Sequence, residues 1–328
     1  MRLLPVIALL LASCAGVPPV ATYQNPVLDR EFPDPTVIRD ADGWFYAYGT
    51  QSESQGHVLN VQVARSPDLV SWEHLGEALP RKPLWAATKQ KIWAPHVLHD
   101  PALQRYFMYY SAEPDRDDGK CLAIATAERP AGPFVDSGEP LLCGERFEHI
   151  DPMAFDDPLT GKRLLYWGSA STPIRVRELA ADRMRFAPGS VATDLIFPDP
   201  QRAYSSLVEG AWVIYRDGVY FLFYSGDRCC TPEPNYAVMV ARASSAMGPF
   251  ELLGIPILAR SAEWLAPGHN SIITDDLGTD WMLYHAMRKP PKRLMLMDRI
   301  EYLDGWPRIE ANSPSSTPRQ SPVVVHGR

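Results

Sequence analysis

The stretch Asp217-Gly218-Val219-Tyr220-Phe221-Leu222-Phe223-Tyr224 combines a turn with an aromatic strand. The Asp-Gly pair predicts a tight turn because glycine accepts a positive φ, and the apolar run after it is typical of a β-strand. Similar short apolar runs occur at four other places: Phe45-Tyr46-Ala47-Tyr48, Phe107-Met108-Tyr109-Tyr110, Leu164-Leu165-Tyr166-Trp167 and Met282-Leu283-Tyr284-His285. The sequence therefore repeats one kind of strand five times.

The spacing of these runs is nearly constant. Their last residues follow one another at steps of 62, 57, 57 and 61 residues, which indicates one structural unit repeated around a common axis. A turn signal, Gly132-Pro133-Phe134, returns 116 residues later as Gly248-Pro249-Phe250, a distance of two repeats. Each unit can be divided into four short strands. We therefore predict an all-β fold, a five-bladed β-propeller with four-stranded blades around a central channel, over residues 23–314.

Three acidic residues stand at matching places in these units. Asp34, Asp151 and Glu209 precede the last residue of their runs by 14, 16 and 15 residues. The innermost strand of each blade lines the channel, so these carboxylates are expected at one channel mouth, together with segment 93–96 and His269. Like charges at short range raise each other's pKa, and such clusters usually serve a metal or acid–base chemistry.

The segments around the carboxylates resemble a known family. Phe32-Pro33-Asp34-Pro35-Thr36-Val37-Ile38, Ile150-Asp151-Pro152 and Val208-Glu209-Gly210 look like the three signature segments of family 43 glycoside hydrolases. Further segments of the family are similar to Trp93-Ala94-Pro95, to Pro267-Gly268-His269-Asn270-Ser271 and to the stretch 293–307. The resemblance covers residues 25–314. It implies a five-bladed propeller that hydrolyses glycosidic bonds of plant cell-wall polysaccharides with inversion.

The resemblance also implies a role for each carboxylate. Asp34 would be the general base that activates water, and Glu209 the general acid that protonates the leaving oxygen. Asp151 would orient Glu209 and raise its pKa. Inversion needs about 6.5–9.5 Å between the base and the acid, which leaves room for the water.

Other site residues follow from the same resemblance. Trp93, Arg293 and Phe32 are expected to contact the sugar, although Trp93 in the core and Arg288 in place of Arg293 are alternatives. His269 resembles the channel histidine that approaches Ca²⁺ or Na⁺ in many members, directly or through water, and a purely structural histidine is the alternative. The chemistry itself requires no cofactor.

Two segments of the sequence depart from the motifs that they resemble. His96 stands where the family more often has an acidic residue after the Trp-Ala-Pro segment. Asp115-Arg116-Asp117-Asp118-Gly119 hints at a calcium loop, but Thr126 occupies the place of the closing glutamate. We interpret it as a solvated turn.

The N-terminus predicts export. Arg2 precedes an apolar stretch over residues 3–11, and Leu11-Ala12-Ser13-Cys14 resembles the bacterial lipobox. We predict a lipoprotein signal peptide over residues 1–14, a tether over 15–22, and a periplasmic or cell-surface protein held to the membrane by a lipid on Cys14. An ordinary signal peptide cut nearby is the alternative.

Export makes the remaining cysteines candidates for disulfides. Cys121 and Cys143 fit a bridge within the second unit, whereas the adjacent Cys229 and Cys230 fit either a vicinal disulfide or free thiols. The chain after Glu310 is Ser/Pro-rich and is expected to be a poorly ordered strap, and residues 315–328 form the predicted C-terminal tail. The net charge of −7 is spread without blocks, which argues against nucleic acid as a partner.

Taken together, the sequence predicts an exported inverting glycosidase that releases arabinose from arabinan or arabino-oligosaccharides, an α-L-arabinofuranosidase. A β-xylosidase or an endo-arabinanase of the same family are the alternatives among enzymes. A surface propeller that binds glycans without turnover is the alternative from another class.

Overall fold

The computed structural model describes residues 21–54, 56–116 and 119–325. It is an all-β five-bladed propeller, as the repeat predicts, and all strand pairs within the blades are antiparallel. Helical structure in these ranges is limited to two short 3₁₀ turns, Leu84–Ala86 and Glu310–Asn312. Within the same ranges, no helix has the length and apolar character needed to cross a bilayer.

The strands follow one another blade by blade. Up to the end of blade 1 they are β1 (Thr22–Tyr23), β2 (Thr36–Arg39), β3 (Phe45–Gly49), β4 (Ser52–Ser54), β5 (His57–Leu59), β6 (Gln62–Ser66) and β7 (Glu73–Glu77). Blade 2 contains β8 (Trp93–Asp100), β9 (Arg105–Ala112), β10 (Gly119–Ala127), β11 (Val135–Asp136) and β12 (Leu142–Glu145). Blade 3 contains β13 (Met153–Asp156), β14 (Arg163–Trp167), β15 (Ile174–Glu178) and β16 (Thr193–Ile196).

The second half repeats this plan. Blade 4 contains β17 (Val208–Arg216), β18 (Val219–Arg228), β19 (Asn235–Ala243) and β20 (Glu251–Leu252). Blade 5 contains β21 (Leu265–Thr274), β22 (Asp280–Met287) and β23 (Leu294–Arg299). The chain ends with β24 (Glu301–Leu303), β25 (Trp306–Arg308) and β26 (Arg319–Gln320).

The five apolar runs form the second strand of each blade. These strands, β3, β9, β14, β18 and β22, are almost completely buried because blades pack against both of their faces. Hydrophobic clusters fill the spaces between neighbouring blades, and the largest joins blades 3, 4 and 5. The repeated run is thus the core of the fold, and the spacing of the runs is the spacing of the blades.

The N-terminal segment closes the ring. Blade 5 has three strands in the described chain rather than the expected four, and its free edge is covered by the residues before β2. Leu28 and Met295 exchange backbone hydrogen bonds of 3.2 and 3.4 Å, and the Asn25 amide bonds both backbone groups of Met297. The first segment of the chain therefore completes the last blade.

The expectation of a poorly ordered tail after residue 314 is wrong for residues 315–325. Ser315 is buried and its backbone N–H donates to Asp298 at 3.2 Å, while β26 pairs with β1. Burial of these polar groups in hydrogen bonds ties both ends of the described chain to blade 5. The predicted signal peptide, Cys14 and the tether up to residue 20 lie outside the described residues.

Two disulfides are formed within the part of the chain that the structure describes. Cys121 on β10 and Cys143 on β12 lie directly opposite each other and are bridged, a pairing that the sequence allows. Cys229 and Cys230 form a vicinal disulfide in the loop between β18 and β19. Of the two alternatives for the adjacent pair, the structure therefore has the bridge.

Candidate active site

The same backbone conformation recurs near the beginning of each inner strand. A residue with left-handed φ stands there in all five blades: Asp34 (56°), Ala94 (46°), Asp151 (58°), Gly210 (61°) and His269 (49°). In blades 2, 4 and 5 the strand register also shifts at this point. Non-glycine residues in this region cost about 1–3 kcal/mol each and persist where the surrounding structure enforces them, commonly at functional sites.

Six of the seven predicted site residues share one cavity of about 530 Å³. Its wall includes Asp34, Trp93, Asp151, Glu209, His269 and Arg293. These six side chains come from all five blades or the connections beside them. The rotational repeat thus brings the three carboxylates face to face, as expected from their matched offsets.

Asp34 is held in the ionised form. Its Oδ2 accepts a hydrogen bond of 2.5 Å from Thr50 Oγ1, and its Oδ1 lies 3.4 Å from Arg293 Nη1. Burial by itself opposes ionisation, but the Arg293 guanidinium holds the pKa of Asp34 well below its usual range. Burial lowers the pKa of His269 to about 4, so this ring is neutral at pH 7 and Arg293 supplies the positive charge.

His269 lies between two of the acids. Its Nδ1 is 3.5 Å from Asp34 Oδ1 and 3.6 Å from Asp151 Oδ2. Its backbone N–H donates to Ser225 Oγ at 2.8 Å, which fixes the ring's position in the channel. Asp34 and Asp151 therefore stand on either side of a single neutral imidazole.

Asp151 is a buried acid with a fixed orientation. Its backbone N–H donates to Ser111 Oγ at 3.1 Å, and its Oδ2 accepts a hydrogen bond of 3.0 Å from the Gly210 N–H. Gly210 directly follows Glu209, so Asp151 holds the backbone beside the second acid. Burial, followed by the charges of Glu209 and Asp34, raises the pKa of Asp151 well above its usual range.

Glu209 is surrounded by hydroxyl groups. Its Oε2 accepts a hydrogen bond of 2.5 Å from Ser169, and its Oε1 accepts one of 2.8 Å from Tyr236. Burial raises the pKa of Glu209 to about 7, although both hydrogen bonds favour the charged form. Burial is thus the main cause of the raised pKa of Glu209, and not the charge of Asp151, as the family resemblance implies.

Two of the residues predicted to contact the sugar, Trp93 and Arg293, line the cavity. Trp93 lines the cavity, and the buried Lys120 lies behind it with Nζ 3.6 Å from the ring centroid. Arg293 faces Asp34, whereas Arg288 is paired with Glu263 at 2.9 Å on the surface, so Arg293 is the arginine of the site.

Phe32 does not reach the cavity. Its side chain has no exposed surface and packs in the cluster between blades 1 and 5, so the expected sugar contact is wrong. Its place in the signature segment reflects packing in this core cluster. His96 is also buried, with its ring 5.2 Å from that of Trp212.

The segment that hints at a calcium loop begins with Asp115. Asp115 accepts hydrogen bonds from Thr88, as expected for a turn; Asp117 and Asp118 lie outside the described residues.

Several site residues escape sequence reasoning. Thr50, Ser169 and Tyr236 bond the carboxylates but belong to none of the repeated motifs. His285, in contrast, belongs to a repeated motif: it ends the fifth apolar run, where the other runs end in Tyr or Trp. It accepts a 3.2 Å hydrogen bond from the Asp34 N–H. A histidine in place of the usual aromatic residue was therefore the sequence feature that could have identified it as a site residue.

The predicted Ca²⁺ or Na⁺ site stays a prediction. Within the described residues, no group of three or more His, Cys, Asp or Glu side chains has the arrangement of a metal site. His269 Nδ1 is already directed at two carboxylates. The side chains do not fit direct coordination of an ion by His269 through this nitrogen, and we derive no step through a metal.

Comparison with known proteins places this geometry in context. The model of the family described as "Glycosyl hydrolases family 43" matches residues 23–307. A β-D-galactofuranosidase, xynD, of Aspergillus niger is 30% identical over 278 residues, which are 80% of this chain and 75% of that protein. The extracellular exo-α-(1→5)-L-arabinofuranosidase ArbA of Cellvibrio japonicus is 23% identical, over 84% of this chain and 86% of the relative.

Solved structures agree with the observed fold. A thermostable family-43 glycoside hydrolase superposes with a TM-score of 0.77 at 26% identity, covering 92% of this chain and 99% of that one. The α-L-arabinanase of Cellvibrio cellulosa superposes with a TM-score of 0.71 at 19% identity, covering 85% and 95%. At that identity the second likeness concerns the propeller fold alone.

Proposed function

Because this chain belongs to glycosyl hydrolase family 43, we propose that it is an inverting exo-glycosidase that releases α-L-arabinofuranose from arabinan or arabino-oligosaccharides. One observation carries the proposal. Asp34 and Glu209 share a cavity, yet their surroundings move their pKa values in opposite directions. Two carboxyl groups with separated pKa values are what general acid–base catalysis by inversion requires.

Asp34 is the proposed general base. With its pKa held low by Arg293, it is ionised across the neutral range and can take a proton from water. The Thr50 hydroxyl fixes Oδ2, while Oδ1 faces Arg293 and His269. In inversion this water attacks the anomeric carbon from the face opposite the leaving group.

Glu209 is the proposed general acid. The buried pair Asp151 and Glu209 cannot easily lose both protons, so it retains one near neutral pH. In the reactive form that we propose, that proton lies on Glu209, and Asp151 is its charged neighbour, whose Oδ2 accepts from the Gly210 N–H. Asp151 then orients Glu209 through the backbone of Gly210.

The proposed substrate is a furanoside. Two of the relatives named above act on arabinofuranosyl and galactofuranosyl groups, which share a five-membered ring. The galactofuranosidase relative makes β-D-galactofuranosides the second candidate substrate. A β-xylosidase or an endo-arabinanase are further alternatives, since relatives with those names also match. A glycan-binding propeller without turnover has no need of a protonated acid opposite an ionised one.

The proposed location is outside the cytoplasm. Two relatives are described as extracellular, and residues 1–14 have the pattern of a lipoprotein signal peptide. We propose that Cys14 carries a lipid that holds the enzyme at the membrane. Palmitate labelling of the intact chain that persists in a Cys14→Ala variant would contradict this.

Activity on a panel of substrates tests the proposal. Wild type and the variants Asp34→Ala and Glu209→Ala are incubated with arabinotriose, linear arabinan, xylobiose and a galactofuranoside, with Glu301→Gln on the exposed β24 as control. We expect arabinose from arabinotriose with wild type and control, and loss of at least about 10²-fold in both alanine variants. Proton NMR of the first product should show the inverted anomer. Unchanged release by either alanine variant would contradict the mechanism.

A further inference from the structure

The loop between β18 and β19 contributes a disulfide to the cavity wall. Cys229 and Cys230 both line the cavity that contains Glu209. The base of the loop is held by Asp227, whose carboxylate accepts hydrogen bonds from Ser206 Oγ at 2.7 Å and Asn235 Nδ2 at 2.9 Å. The loop is thus tied to the strands that carry Glu209 and Tyr236.

The two cysteines face different surroundings. Cys229 is half-buried and packs against the cluster of Tyr236, Ala266 and Met287, whereas Cys230 is exposed. The Tyr236 hydroxyl in turn donates to Glu209 at 2.8 Å. The disulfide is therefore linked to the proposed acid through one side chain, that of Tyr236.

We propose that the Cys229–Cys230 disulfide forms part of the subsite for the leaving group, the sugar on the far side of the cleaved bond. This rests on the proposed function, because the general acid marks the side from which the sugar departs. The polarisable sulfur atoms offer an apolar surface to the C–H face of a sugar ring. The covalent link between neighbours keeps that surface ordered before the substrate arrives, which lowers the entropy cost of binding.

A pair of substrates separates this role from a structural one. Arabinobiose has a sugar as leaving group, whereas methyl α-L-arabinofuranoside has only a methyl group and does not fill the subsite. In Cys229→Ser/Cys230→Ser, kcat/KM for arabinobiose should fall on the order of tenfold, while that for the methyl glycoside changes by less than about twofold. The matched control is Cys121→Ser/Cys143→Ser, which removes the disulfide of blade 2 and should leave both values unchanged.

The outcomes are distinct. An equal fall for both substrates would show that the disulfide acts only by placing Tyr236 and Glu209, and no fall for either substrate would show that it does not contact the leaving group. Either result overturns the inference and leaves the proposed function standing. A wild type that cleaves neither substrate contradicts the proposed function and this inference with it.

Reversible reduction gives the same test should the double variant fail to fold. In Cys121→Ser/Cys143→Ser enzyme, dithiothreitol acts on the Cys229–Cys230 bridge, and we expect the same selective loss on arabinobiose, restored by reoxidation. Thiol titration that finds Cys229 and Cys230 reduced in the enzyme isolated without reductant would also overturn the inference.

Discussion

Replacing Tyr236 with Phe tests how the protein sets the pKa of its acid. Tyr236 is buried and its own pKa is raised well above the usual value by burial and by the charge of Glu209, so its hydroxyl keeps its proton at any working pH. It donates to Glu209 Oε1 at 2.8 Å and thereby favours the charged form of that carboxyl. Tyr236→Phe removes the donor and leaves the ring in place.

The size of the effect follows from one hydrogen bond. A hydrogen bond to a charged group contributes about 1.5–3 kcal/mol, and about 1.4 kcal/mol corresponds to one pH unit. The alkaline limb of kcat/KM should fall near pH 7 in wild type, where Glu209 loses its proton. In Tyr236→Phe the charged form loses support, so we expect this limb to move to higher pH by about 1–2 units.

The assay is kcat/KM for arabinobiose across the pH range in wild type, Tyr236→Phe and the control Tyr215→Phe. Tyr215 lies on β17 of the same blade and packs against Tyr220, with the two rings tilted at 45°, outside the cavity wall. The control should keep the wild-type profile. An alkaline limb that stays in place, or moves to lower pH, in Tyr236→Phe would refute Glu209 as the group that limits activity there.

Three further perturbations have definite expected results. Arg293→Met removes the positive charge beside Asp34, so the pKa of Asp34 rises and the acidic limb of kcat/KM moves to higher pH, whereas Arg288→Met leaves it unchanged. Glu209→Gln should have a free energy of unfolding about 3 kcal/mol higher than that of wild type at pH 8. The folded-state pKa of Glu209 is about 7 against an ordinary 4.5, so wild type loses stability as the pH rises from 4.5 to 7, whereas the glutamine variant does not; below pH 4.5 the two proteins should be equally stable. Arg183→Met leaves the buried Asp100 without the partner that it has at 2.6 Å and should cost about 3–5 kcal/mol in chemical denaturation, and the exposed Arg185→Met serves as control. Equal stabilities of wild type and Arg183→Met would show that Asp100 is satisfied by other groups.

The blade arrangement and the grouping of the three carboxylates could be predicted from the sequence because a regular repeat fixes angular positions around an axis. Equal steps between the aromatic runs mean equal angular steps around an axis, so residues at equal offsets must meet at one end of the channel. For that reason Asp34, Asp151 and Glu209 were predictable as one group from residue numbers, and the family resemblance added their proposed roles. Neither required knowledge of a single contact.

The tertiary structure decided what surrounds each acid. Phe32 stands in the same signature segment as Asp34, yet it lies in the core while Asp34 faces the cavity, because a spacing gives an angular position and not a depth. Tyr236 lies on the same blade as Glu209, and Ser169 follows β14 of the neighbouring blade. Neither residue stands at the repeated offset that relates the three carboxylates. The pKa of a buried carboxyl depends on such local donors and on exclusion of water, both of which arise only when the blades are packed together.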